Sequence, residues 1–191
     1  PMQSQTGELT YKKVDKNNLQ FALSVQHHVW PNEDVDEDYL AKPLYPEDDS
    51  NVSWLVYYDD KIVGLTGVFT FDTDEPGYDQ GETIWMDWFA ILPEFRRHHF
   101  GVQVLQDTIE YCRQLERFKY FRLDTTYFPG RPAVLLYDKV MSLREEYVAE
   151  DTQSKKQNYL IYSCSLSGSP IKPWDNRFLA IGDNSEGDVI L

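Results

Sequence analysis

One acidic side chain interrupts an apolar stretch of this sequence. Asp87 lies in the segment WMDWFAI, residues 85–91, where every other side chain is apolar or aromatic. A carboxylate among aromatic rings is costly to ionise unless a partner compensates for the lost hydration. Asp87 is therefore either a buried structural residue, held by backbone N–H groups or an arginine, or a carboxylate placed there for chemistry.

A basic segment follows the apolar one. Pro93 ends the predicted strand, and the sequence RRHHFG, residues 96–101, leads into an amphipathic helix. The first N–H groups of a helix have no intrahelical acceptor and lie at the positive end of the helix dipole. A basic turn before such a helix is suited to an anion, and phosphate is its natural ligand. The alternative is an ordinary strand-to-helix connection whose arginines point into water.

The strand that carries Asp87 is expected to be central in its sheet, because a strand that is apolar on both faces is covered on both sides. Trp85, Phe89 and Ile91 share one face with Asp87, and Met86, Trp88 and Ala90 form the other.

Other elements follow from hydrophobic periodicity and turn signals. Strands are predicted at residues 8–15, 85–91, 119–126, 144–150 and 158–166, with a hairpin at residues 52–71 that turns at Asp59 and Asp60. Helices are predicted from about residue 17 and at residues 36–45, 100–116 and 132–142. This order predicts a mixed α/β (α+β) sheet of six to seven mostly antiparallel strands with about four helices. Only the second half has crossovers long enough for parallel pairing.

The length of 191 residues suits one domain. We expect that domain at residues 1–166, followed by an irregular extension at residues 167–191 that packs on it. Cys112 and Cys164 lie in a predicted helix and strand without the paired spacing of metal or disulfide frameworks, so both are expected to be reduced core residues.

Composition excludes some classes of protein. The formal charge of −14 disfavours nucleic acid as a partner. No apolar run is long enough for a membrane helix and no secretory signal is visible, which favours a cytoplasmic protein that binds no membrane.

The segment ILPEFRRHHFGVQVL resembles the signature of the GCN5-related N-acetyltransferases (GNAT), in which [QR]-x-x-G-x-[GA] precedes a helix that binds the pyrophosphate of acetyl-coenzyme A. Arg96 takes the [QR] position and Gly101 the second glycine position, whereas His99 replaces the first glycine. Because histidine adopts positive φ less easily than glycine, either the loop is shifted or His99 is in the ordinary αR region.

A second resemblance lies downstream, in the segment RLDTTYFPGRPAVLLYDKV. Ala133, Tyr137 and Lys139 fit the family pattern A-x-x-[LF]-Y-x-K, whereas Gly130 stands where Asn is common, and Met-Ser replaces the usual Gly-Phe that follows. The two motifs, at their usual separation, cover residues 82–147. They imply the GNAT fold, with a sheet that splays at strands 4 and 5.

The resemblance implies acetyl-coenzyme A as cosubstrate, no metal, and a set of binding residues at the splay and the basic loop. These residues are Phe89, Ala90, Ile91, Arg96, Arg97, His98, His99, Phe100, Gly101, Val102 and Ala133.

The resemblance also implies an N-acetyltransferase that acts on a small-molecule or peptide amine in a ternary complex. Asp87 would accept the proton of the amine, and Tyr137 would protonate the departing thiolate. His27 and His28 are read as surface or packing residues, and Trp30, Tyr39 and Tyr45 as candidates to line the acceptor site. The departures at His99 and Gly130 leave an alternative, a GNAT-like module that binds or regulates without turnover. A homodimer is left open.

Overall fold

The structure is a computed structural model of the 191-residue chain, and it describes residues 2–32, 48–70, 81–127, 130–150 and 156–174. The helix predicted at residues 36–45, with Tyr39 and Tyr45, lies outside the described residues. So do residues 175–191, the greater part of the predicted C-terminal extension.

Seven strands and three α-helices occupy the described residues. The strands are β1 (Leu9–Lys13), β2 (Val52–Tyr58), β3 (Lys61–Phe69), β4 (Thr83–Ile91), β5 (Tyr120–Tyr127), β6 (Leu143–Glu150) and β7 (Lys156–Ser165). The helices are α1 (Leu19–Val29), α2 (Phe100–Gln114) and α3 (Pro132–Val140). Each lies where periodicity predicts it, with ends that differ by a few residues.

The strands form one mixed sheet in the order β1-β2-β3-β4-β5-β7-β6. The pairs β1–β2, β2–β3, β5–β7 and β6–β7 are antiparallel, and β4–β5 is parallel. This confirms the predicted sheet, because the parallel pair β4–β5 is joined by a crossover that contains the 15-residue helix α2. The parallel register runs from Thr83 opposite Tyr120 to Trp85 opposite Arg122, so residues 86–91 of β4 continue beyond its end.

The β2–β3 turn forms as predicted at two aspartates. Asp59 and Asp60 have φ values of 49° and 60°. Positive φ at both central residues is the geometry of a type I′ hairpin turn, which matches the twist of the flanking strands.

The chain divides into two compact units. The first unit consists of Pro1–Thr70 and Met86–Leu115, and the second consists of Phe71–Trp85 and Glu116–Leu191. In the first unit, α1 packs on one side of the sheet through Leu23, Leu55 and Leu65. On the other side, Phe100 and Val104 of α2 contact a cluster formed by β1, β2, β3 and the end of β4.

The second unit contains a buried arginine. Arg122 of β5 is 1% exposed and donates hydrogen bonds to Thr83 Oγ1, Ser163 Oγ and the carbonyl oxygen of Lys172. Trp174 is also buried and packs edge-on against Trp85, with ring centroids 5.0 Å apart. The described start of the predicted extension is thus packed into this unit.

The prediction that both cysteines lie in the core is confirmed, since Cys112 and Cys164 are buried. None of the helices in the described residues is long and apolar enough to cross a membrane.

Candidate active site

The end of β4 is held tightly against β3. The Ala90 carbonyl oxygen lies so near Gly64 that a Cβ on the glycine would be 2.3 Å from it. The Leu92 N–H donates to the Val63 carbonyl oxygen at 2.8 Å. Because backbone groups alternate in direction along a strand, the N–H of Ile91 points away from β3, toward the opposite edge of β4.

A side chain from the loop after β4 also holds Ile91 in place. Arg96 Nε donates to the Ile91 carbonyl oxygen at 3.0 Å, across the short 3-10 turn Pro93–Phe95. The backbone of Ile91 is therefore positioned from the loop as well as through its neighbours.

The basic loop contains two residues in the left-handed region. Arg97 has a φ of 67°, and His99 has a φ of 62° and a ψ of 9°. Of the two alternatives stated for His99, an ordinary αR conformation is excluded. Histidine is one of the side chains enriched at positive φ, so it can take the conformation that the signature usually gives to glycine.

His99 is the N-cap residue of α2, and its side chain makes no capping hydrogen bond in the described structure. The N–H of Gln103 is bonded to the carbonyl oxygen of His99, and the preceding N–H groups, at residues 100–102, have no intrahelical acceptor. The side chains of Arg96, Arg97, His98 and His99 are all exposed. An uncapped helix start with exposed cations fits a diphosphate.

A pocket of about 420 Å³ opens beside this loop in the first unit. Its lining consists of Glu8, Tyr58, Asp59, Lys61, Glu94, Phe95, His98 and Phe100. Three carboxylates against one lysine make it a poor phosphate site, and the helix start is better suited to an anion.

Asp87 is half-buried, and its Oδ1 accepts the Trp88 N–H at 2.9 Å. A Cβ placed on Gly67 would be 3.3 Å from the Asp87 Cβ and 3.0 Å from Ser53 Oγ. Gly67 therefore faces both Asp87 and Ser53, with no room for a larger side chain between them. The carboxylate thus has the backbone N–H partner that a structural role would provide, but it is not fully buried.

Gly67 lies on the same face as Leu65, which packs under α1, whereas Phe89 and Ile91 pack in the cluster that contains Phe100 and Val104 of α2. The prediction that Asp87 shares a face with Phe89 and Ile91 is therefore wrong.

Tyr137 lies in α3 of the second unit and is 7% exposed. Burial is the main cause that raises the pKa of its phenol to about 12; Arg131 opposes the shift and Asp124 adds to it. Its ring packs at a centroid distance of 5.4 Å from Tyr162. Ala133, one turn earlier, is half-buried.

The predicted site residues thus fall into two groups. Asp87, residues 89–91 and residues 96–102 belong to the first unit, and Ala133 and Tyr137 to the second. Gly64 and Gly67 were not predicted to matter, although a glycine inside a strand is a known signal of close backbone approach. In the described ranges, no group of three or more His, Cys, Asp or Glu side chains could hold a metal ion.

Comparison with known proteins identifies the family and the fold. The sequence profile of the acetyltransferase (GNAT) family matches residues 19–142, more than half of the chain. The chain belongs to the GNAT acetyltransferase family. The family resemblance read from the two motifs is confirmed, and with it the interpretation as an acetyltransferase domain.

Solved structures of GNAT enzymes share the fold. Spermidine N-acetyltransferase from Vibrio cholerae, in complex with CoA and spermine, is 15% identical with a TM-score of 0.64, and the match covers 84% of this chain and 96% of that one. Arabidopsis thaliana NAA60, in complex with a bisubstrate analogue, is 12% identical with a TM-score of 0.64, covering 84% and 99%.

A third GNAT structure, the ribosomal-protein-S18-alanine N-acetyltransferase from Escherichia coli, is 10% identical with a TM-score of 0.60, covering 87% of this chain and 99% of that one. No curated protein sequence matches significantly. At these identities the structural matches establish the fold alone.

Proposed function

We propose that this GNAT protein transfers the acetyl group of acetyl-coenzyme A to a primary amine of a small molecule or peptide, by direct attack in a ternary complex. The observation that carries the proposal is the uncapped start of α2, preceded by positive φ at Arg97 and His99, directly after the end of β4. GNAT acetyltransferases use acetyl-coenzyme A, and two solved relatives are named for amines of different kinds, spermidine and a ribosomal-protein alanine.

The loop and the end of β4 would hold the cosubstrate. N–H groups at residues 100–102 would bind its diphosphate, with charge added by Arg96 and Arg97. The N–H of Ile91, directed away from β3, would donate to the thioester oxygen as negative charge develops there. Removal of such a donor generally costs about 3–4 kcal/mol of transition-state stabilisation.

Asp87 would accept the proton that the amine loses as its nitrogen bonds to the acetyl carbon. An amine is nucleophilic only when neutral, so its ammonium form must give up a proton directly or through water. The half-buried carboxylate of Asp87, oriented by the Trp88 N–H, has the solvent access that this transfer needs.

Tyr137 would supply a proton to the thiolate as the carbon–sulfur bond breaks. With a pKa raised to about 12 by burial, the phenol is fully protonated at neutral pH and available as a donor.

Two measurements distinguish the proposed enzyme from the alternative, a GNAT-like module without turnover. Calorimetric titration with acetyl-coenzyme A tests binding, and thiol release with a panel of amines tests transfer. No binding at millimolar cosubstrate would end the enzyme proposal, and binding without turnover on any amine would favour the module.

Two variants test the assigned roles. Asp87→Asn and Tyr137→Phe should each lower kcat at least tenfold and leave the Kd of acetyl-coenzyme A within about threefold. Asp60→Asn and Tyr58→Phe make the same changes at exposed positions. They are the controls and should keep wild-type rates. A variant with unchanged kcat would remove its residue from the mechanism.

A further inference from the structure

Two buried threonines join strand β3 to helix α2. The hydroxyl oxygens of Thr66 and Thr108 are 2.9 Å apart, and both residues are 0% exposed. Thr108 Oγ1 also donates to the Val104 carbonyl oxygen at 2.7 Å. A carbonyl oxygen only accepts and a hydroxyl has one hydrogen, so Thr108 uses its hydrogen on Val104 and Thr66 must donate to Thr108. The result is a directed chain of hydrogen bonds from β3 into the backbone of α2.

The same strand holds the end of β4. The Leu92 N–H donates to the Val63 carbonyl oxygen of β3, and the Ala90 carbonyl oxygen abuts Gly64. Thr66 is two residues after Gly64 in β3. Strand β3 therefore holds both elements of the proposed cosubstrate site, the end of β4 and helix α2.

The neighbouring residue of α2 is held from another part of the chain. Asp107 is 2% exposed, and its carboxylate accepts hydrogen bonds from the Tyr11 hydroxyl of β1 and from the Gln5 N–H. Successive residues of a helix point about 100° apart around its axis. Hydrogen bonds at both Asp107 and Thr108 therefore restrain the rotation of α2 as well as its movement along the sheet.

These bonds are important because the start of α2 lacks a local anchor. His99, its N-cap residue, makes no capping hydrogen bond through its side chain in the described structure. Apolar contacts between α2 and the sheet, such as those of Val104, are non-directional, whereas a hydrogen bond weakens steeply when its atoms shift. The hydroxyl chain is thus suited to fix where the N–H groups at residues 100–102 lie.

The proposed cosubstrate makes that position important for binding. Its thioester and its diphosphate are two ends of one molecule, joined by the pantetheine arm. The Ile91 N–H and the N–H groups at residues 100–102 must therefore lie a fixed distance apart to hold both ends at once. In enzymes generally, a misplacement of about 1 Å can cost about 100-fold in rate.

We propose that Thr66 is a positioning residue for the cosubstrate. Through Thr108 it holds α2 at the distance from β4 that lets one molecule of acetyl-coenzyme A bind at the Ile91 N–H and at residues 100–102 together. Thr66 is fully buried and acts through the helix. This inference rests on the proposed function and adds a residue outside the binding surface itself.

The experiment uses variants of the full chain that change little besides one hydroxyl. Thr66→Val removes the donor and keeps the shape of the side chain, and Thr66→Ser keeps the hydroxyl. Thr83→Val is the matched control, because this buried threonine of the second unit accepts a hydrogen bond from Arg122 Nε at 3.1 Å and its loss should also lower stability. Calorimetric titration gives the Kd of acetyl-coenzyme A, and thermal unfolding without ligand gives Tm.

Thr66→Val should raise the Kd of acetyl-coenzyme A about tenfold or more, and Thr66→Ser should stay within about threefold of the wild type. Thr83→Val should lower Tm and keep the wild-type Kd. A Kd that is unchanged in Thr66→Val, or raised as much in Thr83→Val, would overturn the inference. So would an equal loss of binding in Thr66→Ser, because the hydroxyl would then have no role of its own.

Titration with ADP separates the spacing of the two sites from the integrity of the helix start. ADP carries the diphosphate and lacks the pantetheine arm, so it needs the N–H groups at residues 100–102 and not Ile91. Its Kd, measured by competition with acetyl-coenzyme A, should change less than about threefold in Thr66→Val. An equal loss of affinity for ADP and acetyl-coenzyme A would show a damaged helix start and overturn the inference.

A double-mutant cycle tests the route through Thr108. If Thr66 acts through Thr108, the variant that combines Thr66→Val with Thr108→Val should have the same Kd as Thr108→Val alone. Increases in Kd that multiply, as independent effects do, would show that Thr66 acts in another way and overturn the inference.

A failure of the proposed function would look different. If the wild type binds acetyl-coenzyme A but acetylates no amine, the catalytic proposal falls, and the Kd values still support or overturn the role of Thr66. A wild type that does not bind acetyl-coenzyme A at millimolar concentration overturns both.

Discussion

Gly64 and Ala90 approach so closely that a Cβ on Gly64 would be 2.3 Å from the Ala90 carbonyl oxygen and 3.0 Å from Ile91 Cδ1. Real Cβ atoms do not come this near a backbone oxygen, so any side chain here must displace β4. The contact sits at the strand end that is proposed to bind the thioester, and it links core packing directly to the candidate site.

Gly64→Ala should therefore lower the free energy of unfolding by about 2 kcal/mol or more, as overpacking of a rigid backbone does. It should also weaken acetyl-coenzyme A binding, since Ile91 moves with Ala90. Gly67→Ala is the matched comparison, because its nearest contacts would be 3.0 Å and include the movable hydroxyl of Ser53. Urea unfolding of both variants tests whether Gly64→Ala is destabilised more than Gly67→Ala. Equal stability of Gly64→Ala and wild type would contradict the prediction.

The left-handed conformation of His99 gives a second prediction. At a φ of 62°, a β-branched side chain is a steric outlier and glycine is unstrained. His99→Val should lower the free energy of unfolding by about 1–2 kcal/mol, whereas His99→Gly should change it by less than about 1 kcal/mol. His98→Val, at the adjacent exposed position whose φ is not positive, is the control and should be nearly neutral.

Calorimetry on the same three variants tests the loop's role. Because the αL conformation aims the helix N–H groups, His99→Val should raise the Kd of acetyl-coenzyme A and His99→Gly should not. If all three variants bind alike, the conformation of His99 has no part in cosubstrate binding.

Local patterns were sufficient to predict the elements of this fold. The two apolar faces of residues 85–91 identified β4 as central, and the stripe of Val102, Leu105 and Ile109 identified α2. These signals are local because helix and strand periods are properties of short segments. The signal for the hairpin turn was also local, since the turn depends on two adjacent aspartates.

Features that depend on contacts between distant segments were not predictable in this way. The sequence does not show that Gly64 abuts Ala90, that Ser53 and Asp87 both border Gly67, or that the Gln26 amide is buried without a hydrogen-bond partner among the described residues. The left-handed conformation of His99 was not predicted either, because an average preference against positive φ is outweighed where the loop requires it. The roles of Asp87 and Tyr137 stay predictions until the variants above are measured.

Burial of Tyr137 makes stability depend on pH in the alkaline range. Its pKa is raised from 10.0 to about 12 in the folded protein, so the stabilisation is fully present below pH 10 and is lost as pH rises toward 12. Between pH 9 and 12 this tyrosine should account for about 2 kcal/mol of lost stability.

Urea unfolding of wild type and Tyr137→Phe across that range isolates the effect. Tyr11 and Tyr162, whose pKa values are also raised by burial and by neighbouring carboxylates, remain in both proteins and cancel in the difference. The variant should lose less stability than the wild type between pH 9 and 12. Parallel curves would mean that Tyr137 ionises normally.

Arg96 and Arg97 are adjacent and both exposed, yet substitutions at the two positions should have different effects on kcat and on cosubstrate binding. Arg96 Nε holds the Ile91 carbonyl oxygen at 3.0 Å, and a lysine in its place keeps the charge but lacks the guanidinium fork. Arg96→Lys should therefore lower kcat severalfold, because Ile91 is less well fixed, and leave the Kd of acetyl-coenzyme A within about threefold.

Arg97 would contribute only its charge to the diphosphate site, so Arg97→Lys should match the wild type. Arg97→Ala should raise the Kd of acetyl-coenzyme A about three- to tenfold, an effect that shrinks at high salt, and keep kcat. Steady-state rates and calorimetry at two salt concentrations distinguish the two arginines. If Arg96→Lys is indistinguishable from Arg97→Lys in kcat, the bond from Arg96 to Ile91 does not position the donor, and both residues act through charge alone.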